Sequence, residues 1–307
     1  LFYFCGYFFI TFFLFCLGVL LFFSLVAFFV LIERKVLGLC QSRLGPNKVS
    51  MVGLFQSFAD FIKLLSKSGL LWSNLVYVFR GWFFFLGVFY FLLSACLFIF
   101  VFFCSYYFCG LWGGYFMCWL VVLSSLTGYG FIMCGWGSKC KYSLYGSMRA
   151  SFSSISFEGV LICLVISLGS LLGGYDYFVV VDGSGLFSFL VVLSLYFISF
   201  VCFLCEGNRS PFDFSESESD LVSGFNPEYF GVSFALLFAC EYCIMIFFCW
   251  LLSFLFVSSL CFLFFFIHSF GFLFVRACFP RFRYDFFTLF IWQNVYIYLF
   301  FFLCFVF

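Results

Sequence analysis

The stretches without a charge decide what this chain can fold into. Between its few ionisable residues the apolar runs reach 18 to 30 residues or more. A helix of about 20 apolar residues spans the roughly 30 Å hydrocarbon core of a bilayer. Charged residues make up only 9% of the chain and hydrophobic ones 66%, with mean hydropathy +1.24. Soluble domains are about half apolar, so the expected fold class is an all-α polytopic membrane protein, a single membrane domain over residues 1–307.

Eight spans are predicted, at roughly 5–32, 81–104, 112–134, 152–173, 185–206, 229–256, 258–275 and 285–307. The first carries no basic leader and reads as a span rather than a cleavable targeting segment. Only "VSS" near Ser258 separates the sixth from the seventh. All 14 Lys and Arg fall in four alternate loops, 33–80, 135–151, 207–228 and 276–284, and hence on one side of the membrane. Such asymmetry fixes orientation by the positive-inside rule. The opposite side has Asp176 and Asp182 alone, and the four prolines sit in the basic loops. In loop 33–80, Phe55, Phe58, Ile62 and Leu65 repeat with helical spacing while Asp60, Lys63 and Lys67 lie on another stripe. That pattern predicts an amphipathic helix at the interface over 52–67.

What is missing narrows the chemistry. One histidine, His268, excludes bis-His haem, and no clustered cysteines exist for an iron–sulfur centre. No P-loop and no G-x-G-x-x-G after a strand occurs. The pairs Cys202/Cys205 and Cys240/Cys243 lie in apolar segments without a second pair, where free Cys behaves as a small hydrophobe. The chain is therefore not a self-sufficient redox enzyme; no catalytic group or metal site of its own is expected, and nothing asks for a nucleic-acid partner.

What remains are acids at membrane depth. Glu158 and Glu241 lie inside apolar runs, where an ionised carboxylate costs several kcal/mol, about 2.5–3.5 on lenient scales. Such groups face a bundle interior and mark a proton or ion path, or hold helices together. Six of the 13 carboxylates cluster as Glu206, Asp213, Glu216, Glu218, Asp220 and Glu228 around Arg209, in the acidic loop 207–228 and at its edge. Pro211, Phe212, Phe214, Phe225 and Pro227 within that run argue for a docked segment rather than a solvated one. Abundant Phe, Cys, Gly, Val and Trp have codons rich in U and G, while Pro (four) and His (one) are scarce. A strand-biased small genome, as in some mitochondria, has this bias.

Four stretches carry a resemblance: "ERKVLGLCQSRLGPNKV" with "ADFIKL", "GWGSKCKYSLYGSMRASFSSISFE", "EGNRSPFDFSESESDLVSGFNPEY" and "PRFRYD". In this order, from residue 33 to 285, they resemble subunit 1 of respiratory complex I, the membrane subunit of NADH–ubiquinone oxidoreductase. The chain departs from that family's usual residues at Leu44, Ser57, Phe152, Ser153, Ser217, Asp220 and Gln293. The resemblance implies an eight-span subunit in the mitochondrial inner membrane, basic loops toward the matrix, that admits ubiquinone and couples its reduction to proton translocation. It implies that Arg34, Asp60, Arg209, Asp213, Arg276 and Arg281 line the quinone channel or hold its loops. It also implies a proton pathway through Glu158, Glu206 and Glu241, with Glu216, Glu218, Asp220 and Glu228 near the entrance. NADH, FMN and iron–sulfur clusters would belong to partner subunits, hydrophilic ones at the quinone site and antiporter-like ones in the membrane. Competing readings are a secondary transporter or cation/proton antiporter, the membrane subunit of a related hydrogenase complex, and a structural anchor. No internal repeat supports the transporter.

Overall fold

The computed structural model describes residues 2–67, 75–107, 115–138, 140–183, 192–214, 224, 229, 231–257 and 261–306. Within them the regular elements are helical. In order they are α1 (Phe2–Cys40), a single 3-10 turn (Met51–Gly53), α2 (Gln56–Ser66), α3 (Leu75–Tyr107), α4 (Phe116–Gly137), α5 (Lys141–Leu172), α6 (Tyr177–Gly183), α7 (Leu193–Glu206), α8 (Gly231–Phe256), α9 (Cys261–Cys278) and α10 (Tyr284–Val306). Seven of these are long and apolar enough to cross a membrane. The shorter α7 falls within the fifth predicted span, and residues 185–191 of that span lie outside the described residues. So do Ser258 and Ser259 of the "VSS" boundary, between α8 ending at Phe256 and α9 starting at Cys261.

Helix α8 is the centre of the bundle. Of its span 72% is buried, against 17% for α1 and for α10, and it packs on α1, α3, α7 and α9. Aromatic rings fill the space around it: Phe98 meets Phe247 and Phe248 with centroids 4.7 and 5.7 Å apart, and Phe203 stacks on Phe248 at 4.9 Å. Small residues bring α3 and α4 together, as lipid-embedded helices require. A Cβ on Gly87 would lie 2.7 Å from the Cys134 backbone nitrogen, and one on Gly137 only 2.4 Å from that of Phe84. Hydroxyls inside the bundle find partners within their own helix, because no water is there to supply one. Ser94, Thr127, Ser153, Ser154, Ser156 and Ser167 each donate to the carbonyl three residues back, at 2.7–2.9 Å.

The structure corrects the sequence reading at several helix ends: the fourth span starts at Lys141 rather than 152, taking Lys141 and Arg149 out of the expected loop. The first helix does not stop at Ile32 but continues to Cys40, carrying Glu33, Arg34 and Lys35 out of the expected loop. The interfacial helix starts at Gln56 rather than Val52, because Val52 and Gly53 adopt φ of 61° and 75° and break the chain direction. Between the fourth and fifth predicted spans, where no helix is predicted, α6 forms, with Tyr177 stacked on Phe254 at 4.9 Å and Val180 fully buried.

Candidate functional site

The foot of the bundle on the basic side is built from three consecutive charges of α1. Successive helical residues point about 100° apart, so each charge goes its own way. Glu33 turns inward and is 3% exposed. It accepts a hydrogen bond from the Tyr242 hydroxyl of α8 at 2.5 Å and pairs with Arg276 in the last turn of α9. Arg34 points outward to Asp60 of α2 at 2.6 Å, and Asp60 also accepts from Gln56 at 3.0 Å. The Lys35 ammonium donates to the Val52 carbonyl at 2.5 Å, fixing the strained turn before α2. The Arg209 guanidinium lies 3.9 Å from the centroid of the Tyr242 ring, a stacking worth about 2 kcal/mol when desolvated. Tyr242 thus has a base on its face and a carboxylate at its hydroxyl.

The start of the acidic loop is docked, as its Pro and Phe residues predict. Phe212 stacks on Phe282 at 5.6 Å, Phe214 packs on Phe287 at 4.6 Å, and the Phe282 N–H donates to the Pro211 carbonyl at 3.0 Å. Arg281 and Asp213 pair at 2.9 Å across the same contact. The six expected channel residues therefore fall into three linked groups: Arg34 with Asp60, Asp213 with Arg281, and Arg209 with Arg276 through Tyr242 and Glu33.

Glu206 and Glu241 lie beside Thr127 and Cys134 on one face of α4, and Glu158 lies about 100° round that helix, at Gly128. Thr127 of that helix donates to Glu206 at 3.0 Å. Glu158 of α5 lies within electrostatic range of Glu206, opposite Gly128, where a Cβ would come 3.9 Å from its Oε1 and 2.7 Å from the Ser154 hydroxyl. Two turns further along α4, about 10 Å, Cys134 lies within electrostatic range of Glu241. Glu241 adjoins Tyr242 on α8 and is 7% exposed. It stands about 15 Å along α8 from Gly231. Glu216, Glu218, Asp220 and Glu228 lie outside the described residues. His268 stands apart, hydrogen-bonded to the Tyr196 hydroxyl at 2.8 Å between α9 and α7, as a packed side chain.

Sequence reasoning passed over Glu33, Tyr242 and Thr127. For Glu33 the signal was present, since it follows 32 uncharged residues, but a charge in that position reads as the end of a span. Tyr242 is one of 18 Tyr in an aromatic-rich chain, and nothing local distinguishes it.

Comparison with known proteins covers the same helices. A family model described as NADH dehydrogenase matches residues 13–307. NADH-ubiquinone oxidoreductase chain 1 of Heterololigo bleekeri is 39% identical over 286 residues, covering 88% of this chain and 87% of that one. The chains of the same name from Locusta migratoria and Aedes aegypti are 36% and 39% identical, each over 88% of this chain and 86% of their own. The family match runs from within α1 to the end of α10, and the chain belongs to the NADH dehydrogenase family as a multi-pass membrane subunit of NADH-ubiquinone oxidoreductase.

Proposed function

We propose that the chain forms the access channel for a lipid-borne quinone and turns quinone reduction into proton movement. One observation carries this reading: the array Glu33–Tyr242–Arg209–Arg276 adjoins Glu241 through a single peptide step on α8. A charge change at the foot therefore acts next to an acid inside the bundle. The amphipathic face of α2, with Phe55, Phe58, Ile62 and Leu65 exposed, forms the lipid-side approach. The Arg34–Asp60 pair holds α2 against the end of α1.

Reduction of a quinone to a quinol takes up protons as well as electrons. NADH, FMN and iron–sulfur clusters in hydrophilic partner subunits supply the electrons. Protons drawn from groups near Arg209, Asp213 and Asp60 change the charge that Glu33 and Arg276 balance. The Tyr242 hydroxyl, bonded to Glu33, reorients when that carboxylate changes charge. Glu241 then exchanges a proton along α4 with Glu206 and Glu158, and onward to antiporter-like membrane partners. The acids Glu216, Glu218, Asp220 and Glu228 feed this line from the basic side, which is the matrix side of the mitochondrial inner membrane.

A photoreactive quinone with a long isoprenoid tail tests the channel in the assembled complex. Labelling of peptides from the end of α1, from α2 and from residues 207–214, competed by excess quinone, is the expected result. Labelling confined to other helices would overturn the channel assignment.

A further inference from the structure

Around Glu158 the helix α5 meets α4 on one side and α10 on the next. The Tyr296 hydroxyl of α10 donates to the Ser156 carbonyl at 3.0 Å. It occupies the place of a missing side chain, since a Cβ on Gly159 would lie 1.8 Å from its oxygen. Directly before Tyr296 comes a π-helical segment of α10, Phe290–Val295. Phe287, Ile291, Val295 and Leu299 are all buried and recur at every fourth residue. Four residues turn a regular α-helix about 40° past a full turn, so three such steps would carry that stripe about 120° off the bundle. The wider π turn takes up part of this drift, and such segments concentrate at functional sites.

Glu158 has two hydroxyls nearby, both engaged elsewhere. Its Oε1 is buried and accepts no hydrogen bond among the described residues. Ser154, which meets the same Gly128 of α4, donates to the Ser151 carbonyl at 2.8 Å. Tyr296 donates to Ser156, two residues before the acid. Tyr296 lies within electrostatic range of Glu158, Cys163 and Cys202, and Glu206 of α7 is within range of Glu158 as well. A protonated carboxyl tolerates this arrangement because it carries no net charge, whereas an ionised one in the same place lacks the donors it needs. Inside α5 the Ser156 carbonyl also has the Val160 N–H as its helical partner, so it is not stranded when the tyrosine hydroxyl leaves it.

Resting on the reading that Glu158 belongs to the proton line, we infer that Tyr296 is a positioning residue for it. The Tyr296 hydroxyl lies on the Ser156 carbonyl while Glu158 holds a proton, and turns to the Glu158 carboxylate when that proton leaves. The Glu158 carboxyl gives its proton along the line to Glu206; the Tyr296 O–H bond stays intact and only its acceptor changes. A hydrogen bond to a carboxylate is roughly twice as strong as one to a neutral carbonyl, which favours the exchange in the ionised state alone. Rotation about the tyrosine C–O bond redirects the O–H while the ring stays against Trp292, centroids 5.2 Å apart, and the long Glu158 side chain supplies the reach. The acid thus gains this donor only while it is charged.

Infrared difference spectra of the complete complex, resting minus turning over with NADH and quinone, read both groups. Ring-deuterated tyrosine identifies the tyrosine bands, and Glu158→Gln identifies the carboxyl band of Glu158. The expected result is a tyrosine C–O band that changes on turnover and disappears in Tyr296→Phe and in Glu158→Gln alike. Tyr196→Phe, which removes the hydroxyl bonded to His268, should leave that band in place. Gly159→Ala displaces the hydroxyl while keeping the tyrosine; it should remove the band too, and it serves if Tyr296→Phe does not assemble. A Glu158 carboxyl band with no tyrosine band lost in either variant overturns the role of Tyr296 and leaves the proton line standing. A tyrosine band that survives Glu158→Gln also overturns it, because Tyr296 then answers another group. Absence of a Glu158 carboxyl band from the unaltered complex overturns the place of Glu158 in the proton line, and the role of Tyr296 with it.

Discussion

Replacing Tyr242 by Phe isolates one hydrogen bond at the foot of the bundle. The ring remains, so the Arg209 stacking survives, and Glu33 keeps Arg276. What is lost is the hydroxyl donated at 2.5 Å to a carboxylate that is 3% exposed. Hydrogen bonds to charged groups contribute about 1.5–3 kcal/mol. The full penalty of a stranded buried charge, about 3–5 kcal/mol, does not apply while Arg276 stays. At about 1.4 kcal/mol per factor of ten, local opening of α1 at Glu33 becomes roughly 10- to 150-fold more frequent. Amide hydrogen exchange of the peptide Glu33–Cys40, measured by mass spectrometry on the assembled complex, reads this directly. Exchange in α5 serves as the control and is expected to stay constant. Contacting pairs couple by about 0.5–3 kcal/mol, so a cycle with Glu33→Gln should show non-additivity in that range. If Tyr242→Phe changes exchange at Glu33–Cys40 by less than twofold, the bond does not anchor α1.

Other expectations follow from contacts of different kinds. Gly135→Ala would place a methyl 1.8 Å from the Ser147 hydroxyl and 2.3 Å from its Cβ. Overpacking of this kind costs about 1–3 kcal/mol, so the yield of intact complex on native gels should fall, and Ser147→Gly should restore it. The Arg34–Asp60 pair is half exposed and is worth less than about 1 kcal/mol. Asp60→Arg should loosen α2 in protease or exchange assays, and the swap with Arg34→Asp should recover it, the rescue fading at high salt. Arg281→Ala should lower the temperature of thermal inactivation, because it takes the paired base from Asp213, whose side chain is only 11% exposed. It should also raise exchange in residues 209–214 severalfold; no change there would mean that Phe212 and Phe214 alone dock the loop.

The spans were legible because an apolar run long enough to cross a bilayer has few other fates. Glu158 and Glu241 were legible for the complementary reason, as charges set in hydrocarbon. The docked start of the acidic loop could be read from Pro211, Phe212 and Phe214. The foot of the bundle could not. A charge after a long apolar run normally marks the water boundary, and only the fold reveals that Glu33 meets a base 243 residues later in the chain. The common face of α4 was hidden for a similar reason: Thr127 and Cys134 acquire meaning only from Glu206 and Glu241 on other helices. The late start of α2 depends on two positive φ angles at Val52 and Gly53, and Val is among the residues least suited to that conformation. The π-helical segment of α10 has no periodic signature to distinguish it from the ordinary helix on either side.

The central claim is that quinone chemistry at the foot moves protons through Glu241. It is tested most directly by the proton-to-electron ratio of the complex in sealed proteoliposomes, with NADH and a short-chain quinone, comparing the unaltered chain with Glu241→Gln. Glutamine keeps the size and a hydrogen-bonding end but carries no titratable proton. The account predicts an assembled complex whose ratio falls while quinone reduction persists when the membrane is uncoupled. An assembled Glu241→Gln complex that pumps at the ratio of the unaltered chain would contradict it.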